Sequence, residues 1–134
     1  MVLALGALAG CNSGSAGATA PPSANPSLGR VTTGPGGVQQ VTIQTQDDYV
    51  FTPTHVTVHT GEVRLTVTNV GHQLSHNFRF TPGKGPAPID AQILLLSSGQ
   101  QKTLDFTVST PGSYQFECSF HVDLGQVGTM TVTG

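Results

Sequence analysis

Charge is scarce in this 134-residue chain: Asp, Glu, Lys and Arg make up 9% of it, and the formal net charge is −2. So few cations argue against a nucleic-acid surface, which needs a basic face to neutralise phosphates. They argue equally against strong electrostatic steering of a partner. Long apolar runs are also missing. The apolar stretch that opens the chain falls short of the about 20 residues a bilayer-spanning helix requires. Helical periodicity is scarce, no internal repeat is visible, and no nucleophile–base pair stands out. The chain does not read as an enzyme.

Cysteine is limited to Cys11 and Cys118. Cys11 closes "LALGALAGC", and "LAGC" resembles the lipobox of bacterial lipoproteins, in which a signal peptide is cut before a cysteine that is then acylated. The resemblance implies that residues 1–10 are a signal-peptide remnant, that Cys11 carries lipid, and that the protein is exported and anchored on the extracytoplasmic face of a membrane. From Cys11 to about residue 38 the chain is dominated by Gly, Ser, Ala, Thr and Pro. That composition buries too little apolar surface to order itself and reads as a tether. Its reach is about 25–30 Å. With Cys11 acylated, Cys118 has no partner in the chain, and a lone thiol in an exported protein is reactive, intermolecular or metal-bound.

Residues 39–134 have a different texture. "QQVTIQTQ", "HVTVHTG", "EVRLTVTNVG", "HNFRF", "KTLDFTVS", "GSYQFEC" and "GTMTVTG" alternate with period two, and "TG", "NVG" and "STPG" punctuate them. The pattern predicts an all-β domain, a Greek-key β-sandwich or barrel. A monomer is expected. "PIDAQILLLSSG" is ambiguous between a helical turn and a strand. Parity turns Leu104, Phe106 and Val108 inward, Tyr114, Phe116 and Cys118 inward, and Glu117 outward as a surface charge. His55 and His59 share an outward face.

Cys118 therefore sits at the inner end of its strand, where the chain enters a loop. His121, three residues on, can aim at the same ion. A copper held by one thiolate and two imidazoles needs a third donor from a neighbouring strand, and "VGHQLSHNF" offers His76.

"NVGHQLSHNF" and "GSYQFECSFH", with His76 and Cys118 42 positions apart, resemble the cupredoxins, the small blue copper proteins that include plastocyanin and pseudoazurin. The resemblance covers about residues 39–134. It implies one mononuclear copper bound by His76, Cys118 and His121. The family's usual axial methionine falls at Gln126, so an amide oxygen is expected there, as in the stellacyanin branch. Met130, four residues further, shares the parity of Val132 and reads as core, although it is the alternative axial donor. Asn77 takes the family's role of tying the two copper loops together, with Ser119 as its partner. His72 reads as an exposed loop residue.

The activity so implied is electron transport by a type 1 copper carrier. Its redox partner proteins would be membrane-bound or membrane-associated, docking on an apolar patch around His121 formed by Phe120, Val122, Leu124 and Leu74. The competing expectation is a copper-tolerance lipoprotein that sequesters or delivers the ion with the same residues. A dinuclear copper centre would need two cysteines near this loop, and a multicopper cluster a His-x-His element. Neither is present.

Overall fold

The computed structural model describes residues 27–134. Cys11, the lipobox and residues 12–26 of the tether lie outside the described residues. Ten strands follow one another: β1 (Thr32–Thr33), β2 (Gln39–Thr45), β3 (Phe51–Thr52), β4 (His55–His59), β5 (Gly61–Asn69), β6 (His76–Phe80), β7 (Gln92–Leu96), β8 (Gln101–Val108), β9 (Gly112–Glu117) and β10 (Val127–Thr133). The ambiguous stretch resolves into β7, and the helical content among the described residues is two three-residue 3-10 turns.

The strands form two five-stranded sheets. The first has the order β1-β2-β5-β8, with β3 also paired to β2; the second has the order β4-β10-β9-β6-β7. β2 runs parallel to β5, and β4 parallel to β10. These non-local pairings make the architecture a Greek-key sandwich, the all-β class that the alternation predicts. Backbone pairing begins ahead of residue 39: Thr32 and Thr33 face Gln40 and Gln39, and the Gly29 amide donates to the Thr42 carbonyl.

Period-two burial is regular. Val41 and Ile43 of β2 and Val63, Leu65 and Val67 of β5 are buried against Phe78, Tyr114, Phe116, Met130 and Val132 of the second sheet. Leu104 and Phe106 turn towards this core but stay half-buried, because β8 is an edge strand. Met130 is buried in mid-β10, opposite Tyr114 and Val56.

One parity reading needs correction. Glu117 is only 3% exposed and is not a surface charge. Arg79 stands directly opposite on β6, and its Nε and Nη2 each lie 2.7 Å from Glu117 Oε1. Alternation assigns a side chain to a sheet face; it does not say what covers that face.

The same alternation prepares one end of the sandwich. His76 opens the strand that carries Phe78, and Cys118 directly follows the strand that carries Phe116. The Phe78 and Phe116 rings lie 5.1 Å apart, and Phe51 meets both edge-on. These interlocked rings pack the core at the strands that carry His76 and Cys118, two residues along from Phe78 and Phe116.

Candidate metal centre

Three chain segments meet at this end of the sandwich. His76 opens β6, Cys118 follows β9, and His121 and Gln126 belong to the short connection into β10. One donor atom from each of His76, Cys118 and His121 lies within 4.8 Å of the other two. Cys118 and His76 are fully buried, and His121 is half-buried at the rim.

The 118–126 connection is closed by its own backbone. The Cys118 amide donates to the Gln126 carbonyl (3.1 Å), and the His121 amide to the Cys118 carbonyl (3.1 Å). The amides of Leu124 and Gln126 both donate to the His121 carbonyl, at 2.9 and 3.2 Å. A 3-10 turn at Val122–Leu124 ends in Gly125 at φ +88°, a left-handed conformation that glycine adopts without steric cost. The reversal returns Gln126 to the interior. Its Oε1 lies 2.9 Å from His76 Nδ1 and 3.2 Å from His121 Nδ1. Cys118 Sγ is 3.5 Å from His121 Nδ1 and accepts the Asn77 backbone N–H at 3.4 Å.

Asn77 and Ser119 clasp the two loops in both directions. Asn77 Nδ2 donates to Ser119 Oγ, and the Ser119 amide donates to Asn77 Oδ1 at 2.6 Å.

Sequence reasoning missed the segment Thr45–Tyr49, which leaves β2 and crosses the same pole. His76 Nε2 donates to the Gln46 carbonyl at 2.7 Å, because a carbonyl oxygen can only accept. In the neutral ring this bond leaves the Nδ1 lone pair bare and facing the centre. Gln126 Nε2 donates to Thr45 Oγ1 at 2.8 Å.

Asp47 receives the amides of His72, Gln73 and Leu74 at 2.8, 3.1 and 2.9 Å. Those bonds, led by the one from His72, hold its carboxyl below the usual value of 3.8. Gly71 lies so close to Asp47 and Asn69 that a Cβ there would strike both side chains. The one available sequence signal was the inward stripe Val41, Ile43, Thr45, where a hydroxyl replaces a hydrocarbon at the last position.

The other singled-out residues lie elsewhere. His72 is exposed, and His55 and His59 bond the hydroxyls of Thr131 and Thr133 on β10. Phe120 and Leu124 are exposed (52% and 60%) next to His121; Val122 and Leu74 are half-buried.

A sulfur, two imidazole nitrogens and an amide oxygen thus converge on one point. Gln126 Oε1 and the bare Nδ1 of His76 face each other at 2.9 Å with no proton to share, an arrangement that a cation among them satisfies. One soft sulfur with two imidazoles suits copper. A β-sandwich that gathers this set at one pole is a cupredoxin. Over residues 37–133 the chain matches the copper-binding proteins of the plastocyanin/azurin family, and it belongs to that family. Copper is accordingly its cofactor.

The chain is 34% identical over 93 residues to plastocyanin of Nostoc punctiforme, covering 63% of this chain and 65% of that one. It is 34% identical over 87 residues to the minor chloroplastic plastocyanin isoform of Arabidopsis thaliana, covering 61% of this chain and 50% of that one. It therefore spans between half and two thirds of the length of these two relatives. Reduced auracyanin of Roseiflexus castenholzii superposes with a TM-score of 0.62 at 26% identity, over 71% of this chain and 97% of that one.

Proposed function

We propose that the protein is a one-electron carrier with a type 1 copper site in which Cys118, His76 and His121 are the equatorial ligands and Gln126 Oε1 is the axial one. The observation that carries this reading is the convergence of the three donor atoms within 4.8 Å of one another. Copper bound there would supply a couple between two oxidation states. The chain's part is to hold the donors still while the charge changes. The closed 118–126 loop, the Asn77–Ser119 clasp and the Gln46 carbonyl on His76 support that role.

The half-buried His121 ring, flanked by exposed Phe120 and Leu124, is the proposed exit for the electron towards redox partner proteins. Docking there is largely apolar, and transfer should depend little on ionic strength. The "LAGC" pattern and the Gly/Ser/Ala/Pro-rich segment support a lipid anchor at Cys11 on the extracytoplasmic face of a membrane.

The test is spectroscopic. Protein loaded with one equivalent of copper should show an intense thiolate-to-copper visible band, a matching electron paramagnetic resonance spectrum and a reversible couple. Cys118→Ser should abolish the band. A colourless protein that releases copper readily and shows no reversible couple would instead be a copper buffer.

A further inference from the structure

We propose that Thr45 is a positioning residue for the centre: its hydroxyl accepts the amide N–H of Gln126, and that acceptor lets Gln126 present its oxygen to the donor cluster. The inference rests on the axial role proposed for Gln126.

The two ends of a carboxamide are nearly equal in size, so packing alone does not choose which end faces inward. Hydrogen bonding has to choose. Thr45 and Gln126 are both fully buried, so water cannot replace a missing partner at either end. On the inner side, the neutral His76 ring offers a bare Nδ1 because its Nε2–H is committed to Gln46. Without a cation, that lone pair draws the amide NH2, while His121 Nδ1, 3.2 Å from the amide oxygen, holds the oxygen inward only in the tautomer that carries its proton there. With a cation among the donors the oxygen is preferred, and the NH2 is driven into the protein wall. There it needs an acceptor, and Thr45 Oγ1 stands 2.8 Å from it.

The position is chemically out of place for its stripe. Val41 and Ile43 precede it on the same inward face, and a valine would continue the pattern with nearly the same shape. Valine would also leave the Gln126 NH2 buried and unpaired whenever the oxygen faces inward, an arrangement that proteins avoid. The hydroxyl therefore acts on the copper site through Gln126, from the opposite sheet and 81 residues away in sequence.

The experiment compares Thr45→Val, Thr45→Ala, Thr45→Ser, Gln126→Met and Thr45→Val/Gln126→Met in copper-loaded protein. Competition titrations give cupric and cuprous affinities, voltammetry gives the midpoint, and paramagnetic resonance reports the axial field. Unfolding of each metal-free variant confirms that it folds.

Thr45→Val should lower the ratio of cupric to cuprous affinity about tenfold, raising the midpoint by about 59 mV for a one-electron couple. Thr45→Ala, which removes the hydroxyl without adding a methyl, should shift the same way. Thr45→Ser should restore wild-type values. In the Gln126→Met background Thr45→Val should add no shift.

A wild-type midpoint in both Thr45→Val and Thr45→Ala overturns the proposal. So does an equal shift in the Gln126→Met background, which would mark a general packing effect. The axial reading fails separately if Gln126→Met leaves the midpoint at or below wild type, and this proposal falls with it.

Discussion

The ring of Tyr49 lies against the imidazole of His121, with centroids 4.9 Å apart and planes inclined by 57°. Tyr49 reaches that position with φ at +57°, and it is the one non-glycine residue with positive φ among the described residues. A backbone strained in this way persists where the surrounding structure over-determines it, and such places gather at functional sites. Asp48 fixes the turn on both sides, accepting the Val50 amide and the Gln46 side-chain NH2.

Removing the ring should loosen the rim imidazole. Tyr49→Phe keeps the contact and should behave as wild type. Tyr49→Ala should cost about 1 kcal/mol of stability, measured by denaturant unfolding, and should speed copper loss to a chelator.

Asp47 anchors the turn that precedes His76, and its pH dependence has a definite sign. Its carboxyl is lowered from 3.8, chiefly by the His72 amide, so the folded state favours the anion. The stability it contributes is fully present above 3.8 and is lost as pH falls through its lower native value. Asp47→Ala should be less stable than wild type at pH 7. The gap between the two should narrow in acid unfolding curves below pH 3.8.

The buried Glu117 tolerates its charge because Arg79 lies over it. Arg79→Met leaves the carboxylate uncompensated and should cost about 2 kcal/mol. Adding Glu117→Gln to Arg79→Met should recover much of that loss in thermal unfolding.

Electron self-exchange tests the apolar face without requiring a physiological partner. Two molecules must meet face to face near His121, so Leu124→Asp sets like charges against each other. The self-exchange rate, read from nuclear magnetic resonance line widths, should fall about tenfold at low salt and recover partly at high salt.

Much of the fold was legible because its signal is local. Alternation in "EVRLTVTN" or "GSYQFE" marks a strand and its inward face whatever it pairs with, and turn residues mark where it stops. Cys118 and His121 were legible because three residues of chain bring a thiol and an imidazole together.

Other features act without a residue type that announces them. Gln46 works through its carbonyl, which every residue possesses. Asp47 and Asp48 resemble any polar turn until the amides they receive are known. The burial of Glu117 depends on Arg79 standing across the sheet, a register that alternation does not encode. β7 stayed ambiguous because "QILLL" is a short apolar run without a clean period, and its exposed Leu94 and half-exposed Leu95 disrupt the pattern.

The four converging donors hang from the second sheet, whereas Thr45 and the Gln46 carbonyl, which hold two of them in place, belong to the end of the first. Any slip of one layer across the other must pull those holds away from their partners. The hue of the copper-loaded protein therefore serves as a gauge of how the two layers are aligned, and a distant core substitution that shears the sandwich should betray itself as a change of colour before the protein unfolds.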